Sequence, residues 1–351
     1  MKITKKVAAA LTLSTAIAAT FAPTVMAATY NMPNPQSSPA ALKSAGGQAV
    51  SFDVNGSKLS ANLYLPANYS EEQLSKAIVM VAPQGGLKEQ TAGIYAKELA
   101  EQGFVTIAFD HRTYGQSGGE PRQTENPNWK AEDIKAAISY ISTLKGVNAD
   151  EVGVLALCSG AGYGVLAAIN DARIKAFATV SGVFDFRERE VGLDGINKPS
   201  AEQKQNFQEK MLVSAQARQQ FFETGIMEYT PLVPDLTAET SDFWKQGYDY
   251  YRTERGFIDG WENKRSAISM EARYSVNTSF LLSQLDDLDT PFIAIAGTKA
   301  FTYPFSQDAV NRAEGQKALY SIEGATHFDL YDNAKYVNDA VGKLTEFYNL
   351  S

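Results

Sequence analysis

The residues that could do covalent chemistry here are few. The chain has a single cysteine, Cys158, and two histidines, His111 and His327. Cys158 follows the apolar run Val152–Leu157 and is followed by Ser159, Gly160, Ala161 and Gly162. A buried strand that passes into a helix through one residue is a nucleophile elbow, a strained turn that lifts one side chain above the sheet. Neighbouring backbone passes so close that the residues two before and two after the apex must be small. With Cys158 at the apex these are Ala156 and Gly160; with Ser159 they are Leu157 and Ala161. The bulk of Leu157 favours Cys158, and Ser159 is the alternative. Helix N-terminal amides and the helix dipole stabilise a thiolate in that place. The N–H of Ser159 is then expected to form half of an oxyanion hole. Gln84 and Gly85, in the turn after the strand Ile78–Ala82, are expected to supply the other half.

A sulfur or oxygen nucleophile needs a base. Elbow sites of this kind run nucleophile, acid, histidine along the chain. His111 precedes the elbow and reads as loop structure. His327 follows the last expected strand and is the candidate base. The orienting acid is harder to place. The stretch 297–303, after the strand ending at Ala296, holds no carboxylate. Asp185, just past the strand ending at Ser181, is the first candidate, and Asp308 the second. A Cys–His dyad without a carboxylate is the third possibility, because a thiolate depends less on an oriented base.

These residues need a scaffold, and the hydropathy pattern describes one. Asn55-Gly56 between the alternating runs 50–54 and 59–65 predicts an antiparallel hairpin. Continuous apolar strands follow at 78–82, 104–109, 152–157 and 174–181, alternating with helices at 88–102, 129–144 and 160–169. The strand–helix rhythm resumes at 291–296 and 318–322 and ends in a helix over 336–348. Strands apolar on both faces, alternating with helices, imply an α/β architecture with a mostly parallel sheet covered on both sides. From 186 to 277 the rhythm breaks. That stretch is helical, aromatic and charged, and is expected to be a lid insertion between core segments 49–185 and 278–351. Trp244, Tyr250 and Tyr251 are its expected pocket-facing aromatics.

The N-terminus reads as an export signal over 1–27. Lys2, Lys5 and Lys6 precede an apolar run, and Val25-Met26-Ala27 forms a small-x-small cleavage site. A periplasmic or secreted protein is expected, without a membrane anchor after cleavage. Residues 28–48 are rich in Pro, Ser and Ala and read as a flexible lead-in. In an oxidising compartment a lone cysteine has no internal disulfide partner, which sharpens the choice between inert and reactive. The formal net charge is −8, and the leader holds three of the lysines. That balance argues against nucleic-acid and anionic-membrane partners. No metal cluster, phosphate loop or dinucleotide fingerprint is present, so neither metal nor cofactor is expected. The oligomeric state is not readable.

Several segments resemble the α/β-hydrolase superfamily, nearest its dienelactone-hydrolase-like branch, and more narrowly the bacterial hydrolases related to fungal polyketide transferases and thiohydrolases. They are Lys88–Ala92, Gly115–Arg122, Leu157-Cys158-Ser159-Gly160, Tyr250–Gly256 and Gly324–Tyr331. The resemblance covers most of the chain beyond the leader. It implies the α/β-hydrolase fold and supports a cysteine at the elbow. Two positions depart from the pattern: Ala82 stands where family members often have His, and Phe301 where many have Asp or His.

The expectation is therefore an exported hydrolase of a small-molecule ester, lactone or thioester, with Cys158 as nucleophile and His327 as base. An acyltransferase of the same fold, a Ser159 esterase and a non-catalytic binding protein on the same scaffold are the alternatives. A peptidase is not expected, since no second domain is present to select peptides by size.

Overall fold

The computed structural model describes residues 41–187, 198–274 and 277–351. The expected leader 1–27, the lead-in as far as 40 and the segment 188–197 of the insertion lie outside them. The rest of the lead-in is held: Leu42 N donates to Asp332 O at 2.7 Å, and Ser44 Oγ donates to Glu89 O at 2.5 Å.

One eight-stranded sheet organises the fold. Its strands are β1 (Gln48–Val54), β2 (Ser57–Tyr64), β3 (Ser75–Val81), β4 (Val105–Phe109), β5 (Val147–Leu157), β6 (Ile174–Val180), β9 (Phe292–Gly297) and β10 (Lys317–Ile322). Across the sheet the order is β1-β2-β4-β3-β5-β6-β9-β10. β1 and β2 form the expected hairpin, and β2 meets β4 antiparallel; every other pairing is parallel. Strand residues alternate between two separate cores. Val79, Val81 and Ala156 lie in one, and Ile78, Met80, Leu155 and Leu157 in the other. This two-sided burial explains why the strands read as unbroken apolar runs.

Helices α2 (Pro127–Ile141) and α3 (Gly160–Ala168) pack on the first face, bringing Ile134, Ile138, Tyr163 and Val165 to its core. Helix α1 (Thr91–Glu101) packs on the second with the C-terminal helix α9 (Ala334–Leu350), through Ile94, Leu99, Val337 and Leu344. Asn126 starts α2 by accepting from the amides of Asn128 and Trp129, with Pro127 at the first turn, where its missing N–H costs nothing.

Between β6 and β9 the described chain adds no strand to the large sheet. It forms α4 (Ala201–Thr224), α5 (Asp242–Arg252), α6 (Ser269–Tyr274) and a two-residue ladder, β7 (Tyr229–Thr230) with β8 (Arg265–Ser266). The ladder was not readable from sequence, because two residues carry no periodicity. After β9 come α7 (Tyr303–Arg312) and, beyond β10, the one-turn helix α8 (Asp329–Asp332). No helix among the described residues is long and apolar enough to cross a membrane.

Candidate active site

The end of β5 carries the strain that an elbow requires. Cys158 has φ 52°, whereas Ser159 is helical at φ −62°, ψ −18°. The apex of the turn is therefore Cys158. Backbone bonds hold it from both sides: Cys158 N donates to Val180 O at 3.0 Å, and Val183 N donates to Cys158 O at 2.9 Å. A left-handed residue without glycine's freedom persists only where the surroundings over-determine it. Gly160 shows why the flank must be small. A Cβ there would lie 2.7 Å from Val81 O and 2.9 Å from Ala82 O.

That contact also brings the start of α3 against the end of β3, just ahead of the turn that holds Gln84 and Gly85. The turn closes through Gly86 N to Pro83 O at 3.0 Å, with Gly85 at φ 65°. Two residues of the inserted segment fix it from outside. Trp261 Nε1 donates to Gly85 O at 3.0 Å, and Leu232 packs where a Gly85 side chain would stand. From inside, Asp110 accepts from Lys88 N at 2.9 Å, from Lys88 Nζ at 3.0 Å and from Gln116 N at 3.0 Å. Gln84 is buried, and its Nε2 has no hydrogen-bond partner, so this turn holds an unused donor beside the elbow.

His327 is 1 % exposed and sits in the loop between β10 and α8. Its Nδ1 meets Thr302 Oγ1 at 2.8 Å, and its Nε2 meets Tyr331 Oη at 3.2 Å. Thr302 reaches it because the loops after β9 and β10 are laced together: Lys299 N donates to Ala325 O, and Gly324 N to Thr298 Oγ1. Tyr331 reaches it from α8, which starts directly after the turn at 327–328; Tyr331 N donates to Phe328 O at 3.1 Å. Tyr331 is buried, and its phenol lies near the Cys158 sulfur. Burial, then that sulfur and Tyr251, hold the phenol well above its ordinary range. Phe243 of α5 stacks edge-on against the His327 ring at 5.1 Å, and Tyr250 against Tyr331 at 4.9 Å.

The expected acids stand elsewhere. The Oδ1 of buried Asp185 accepts from Arg187 N at 2.7 Å, and its backbone bridges Asn277. Asp308 pairs with Arg312 one turn along α7. The partner of His327 Nδ1 is the Thr302 hydroxyl, in the stretch 297–303 that holds no carboxylate. His111 packs against Phe109 and Tyr163, with Nδ1 3.2 Å from Asp133 Oδ2, and burial lowers its basicity. Among the described residues no cluster could hold a metal ion.

Comparison with known proteins agrees with this fold. The family model for X-Pro dipeptidyl-peptidase (S15 family) matches residues 55–251. The uncharacterized protein YcjY of Escherichia coli strain K12 is 39% identical over 305 residues, covering 83% of this chain and 93% of that protein. The crystal structure of the hypothetical protein PA2218 from Pseudomonas aeruginosa superposes with TM-score 0.78 at 30% identity, covering 87% of this chain and 94% of that one. The acyltransferase drtE of Aspergillus calidoustus is 26% identical over 80% of this chain and 88% of its own length. The chain is an α/β hydrolase and belongs to the X-Pro dipeptidyl-peptidase (S15) family.

Proposed function

We propose that the protein is an exported acyl hydrolase that cleaves a small ester, lactone or thioester through Cys158. The observation that carries this reading is the elbow itself: Cys158 holds the left-handed apex, while Ser159 has already entered the helix. The Cys158 sulfur attacks the substrate carbonyl carbon, forming a C–S bond as the carbonyl electron pair moves to oxygen. The amides of Ser159, Gln84 and Gly85 receive that oxyanion. Collapse expels the alcohol or thiol, protonated by way of His327, and leaves an acyl-thioester on Cys158. Water activated by His327 then releases the acid. If another acceptor takes the acyl group, the same site is an acyltransferase; the relationship to drtE supports that second reading.

The aromatics around His327 and Tyr331, together with Leu232 and Trp261 over the turn, suit an apolar acyl group beneath a lid formed by the inserted segment. The export reading rests on residues 1–27, and N-terminal sequencing of the protein from a periplasmic or culture fraction tests it. For the chemistry, the experiment is a panel of p-nitrophenyl esters, lactones, acyl thioesters and an X-Pro p-nitroanilide with wild type, Cys158→Ala and Ser159→Ala. Acyl esters or thioesters turned over by wild type and Ser159→Ala, but not by Cys158→Ala, support the proposal. Retained activity in Cys158→Ala overturns it, and turnover of the X-Pro anilide alone moves the substrate class to peptides.

A further inference from the structure

We propose that Tyr331 is a further catalytic residue, whose hydroxyl carries the proton between the Cys158 thiol and His327 Nε2. The inference rests on Cys158 as nucleophile. With Nδ1 turned to Thr302 Oγ1 at 2.8 Å, the nitrogen left to do chemistry is Nε2, and it meets the Tyr331 hydroxyl at 3.2 Å. That hydroxyl lies among Cys158 at the elbow, Tyr250 and Tyr251 of α5, and His327 itself.

Packing alone does not ask for a phenol here. Tyr331 is 2 % exposed, and its ring lies against Phe328 and Tyr250 at centroid distances of 4.7 and 4.9 Å. A phenylalanine would fill that space without burying a hydroxyl, and a buried hydroxyl costs free energy unless it is partnered. This one meets His327 Nε2 at 3.2 Å and also faces the Cys158 sulfur and the Tyr251 hydroxyl.

The step balances. The thiol proton moves to the Tyr331 oxygen as the phenolic proton moves to Nε2. The products are a thiolate and an imidazolium, with the tyrosine unchanged. The reverse transfer returns the proton toward the leaving group. His327 and Tyr331 stand four residues apart across the turn that opens α8, where Tyr331 N donates to Phe328 O at 3.1 Å.

The test is the pH dependence of iodoacetamide alkylation at Cys158, read by mass spectrometry, in wild type, Tyr331→Phe and His327→Ala, beside ester turnover. Tyr331→Phe is expected to slow alkylation at pH 7 about tenfold and to move the profile toward that of His327→Ala. Its kcat is expected to fall about tenfold or more, with KM changed less than about threefold. If Tyr331→Phe does not fold, difluorotyrosine at 331, nearly isosteric and more acidic, is expected to move the alkylation and turnover profiles to lower pH. Labelling of Cys158 with an unshifted profile in the folded variant overturns the relay alone. Full turnover by Cys158→Ala overturns the nucleophile and the relay together.

Discussion

Replacing Thr302 with valine removes one hydroxyl and keeps the side-chain shape. Thr302 is fully buried and His327 is 1 % exposed, so water cannot readily replace the 2.8 Å bond to Nδ1. Leaving one buried polar group unpaired costs about 1–3 kcal/mol. In the proposed mechanism this bond fixes which ring nitrogen serves the nucleophile, so the loss should appear in the transition state. At about 1.4 kcal/mol per decade, kcat/KM is expected to fall roughly 5- to 150-fold. That is well below the ~10⁴-fold loss when the orienting aspartate of a Ser-His-Asp site is neutralised. The assay is steady-state hydrolysis of a p-nitrophenyl ester by wild type, Thr302→Val and Thr302→Ser, with thermal melts to confirm folding. Thr302→Ser should stay within a few-fold of wild type, because it keeps the oxygen. Equal losses in the two variants, or none in Thr302→Val, would refute the claim that this hydroxyl orients the base.

Glu125 is fully buried, 2.6 Å from Lys130 Nζ, and accepts from the hydroxyls of Tyr114 and Tyr163. Glu125→Gln strands a buried ammonium and should destabilise by about 3–5 kcal/mol, lowering Tm by roughly 10 °C in calorimetry. Burial pushes the Glu125 carboxyl up, but Lys130 and the two phenols bring it net below its ordinary value of 4.5. Its stabilisation is therefore present above about pH 4.5 and lost as pH falls through the lower folded value. Wild-type Tm should drop over that acid window more steeply than Glu125→Gln, and parallel curves would refute the assignment. Trp261→Phe removes the donor to Gly85 O and should lower kcat about tenfold through the oxyanion turn, leaving far-ultraviolet circular dichroism unchanged; unaltered kcat counts against the inserted segment setting that turn. Gly160→Ala drives a methyl to 2.7 Å from Val81 O, a backbone atom, and should cost about 1–3 kcal/mol; a denaturant midpoint equal to wild type would show that the elbow has room.

The architecture was legible because the central strands β3, β4, β5, β6 and β9 are buried on both faces while α2 and α9 bury one, so the change of period marks the boundaries. β5 begins at Val147, five residues before its apolar run, since its first half reads Asn148-Ala149-Asp150-Glu151 and is polar. The elbow turn was legible from steric reasoning on Ala156 and Gly160, while scarcity and chain order singled out His327 as the candidate base. Thr302 and Tyr331 were not. An orienting hydroxyl carries no charge to set it apart from other loop threonines, and a phenol four residues beyond a histidine looks like one more core aromatic. Asp185 drew attention because it is a carboxylate past a strand end. In the fold its Oδ1 accepts the amide of Arg187, while the hydroxyl reaching His327 comes from the loop after β9.

The pairing of a thiol with a hydroxyl orienter is chemically coherent, and it yields a last prediction. Thr302 can fix the tautomer of His327, but it supplies no negative charge to stabilise an imidazolium. A serine at the apex is poorly acidic and would lean on the base for nearly the whole proton transfer, which is the situation a buried carboxylate serves in Ser-His-Asp sites. A thiol ionises far more readily and asks less of its base. Cys158→Ser keeps the shape of the elbow and is expected to lose about 10²-fold or more in kcat, although it converts the site to the commoner hydroxyl nucleophile. The comparison is made with ester and thioester substrates under single-turnover conditions, so that slow deacylation cannot mask slow attack. A Cys158→Ser enzyme acylated at the wild-type rate would mean that His327 is already as strong a base as a carboxylate-backed histidine. The hydroxyl of Thr302 would then have to be doing more than holding the ring.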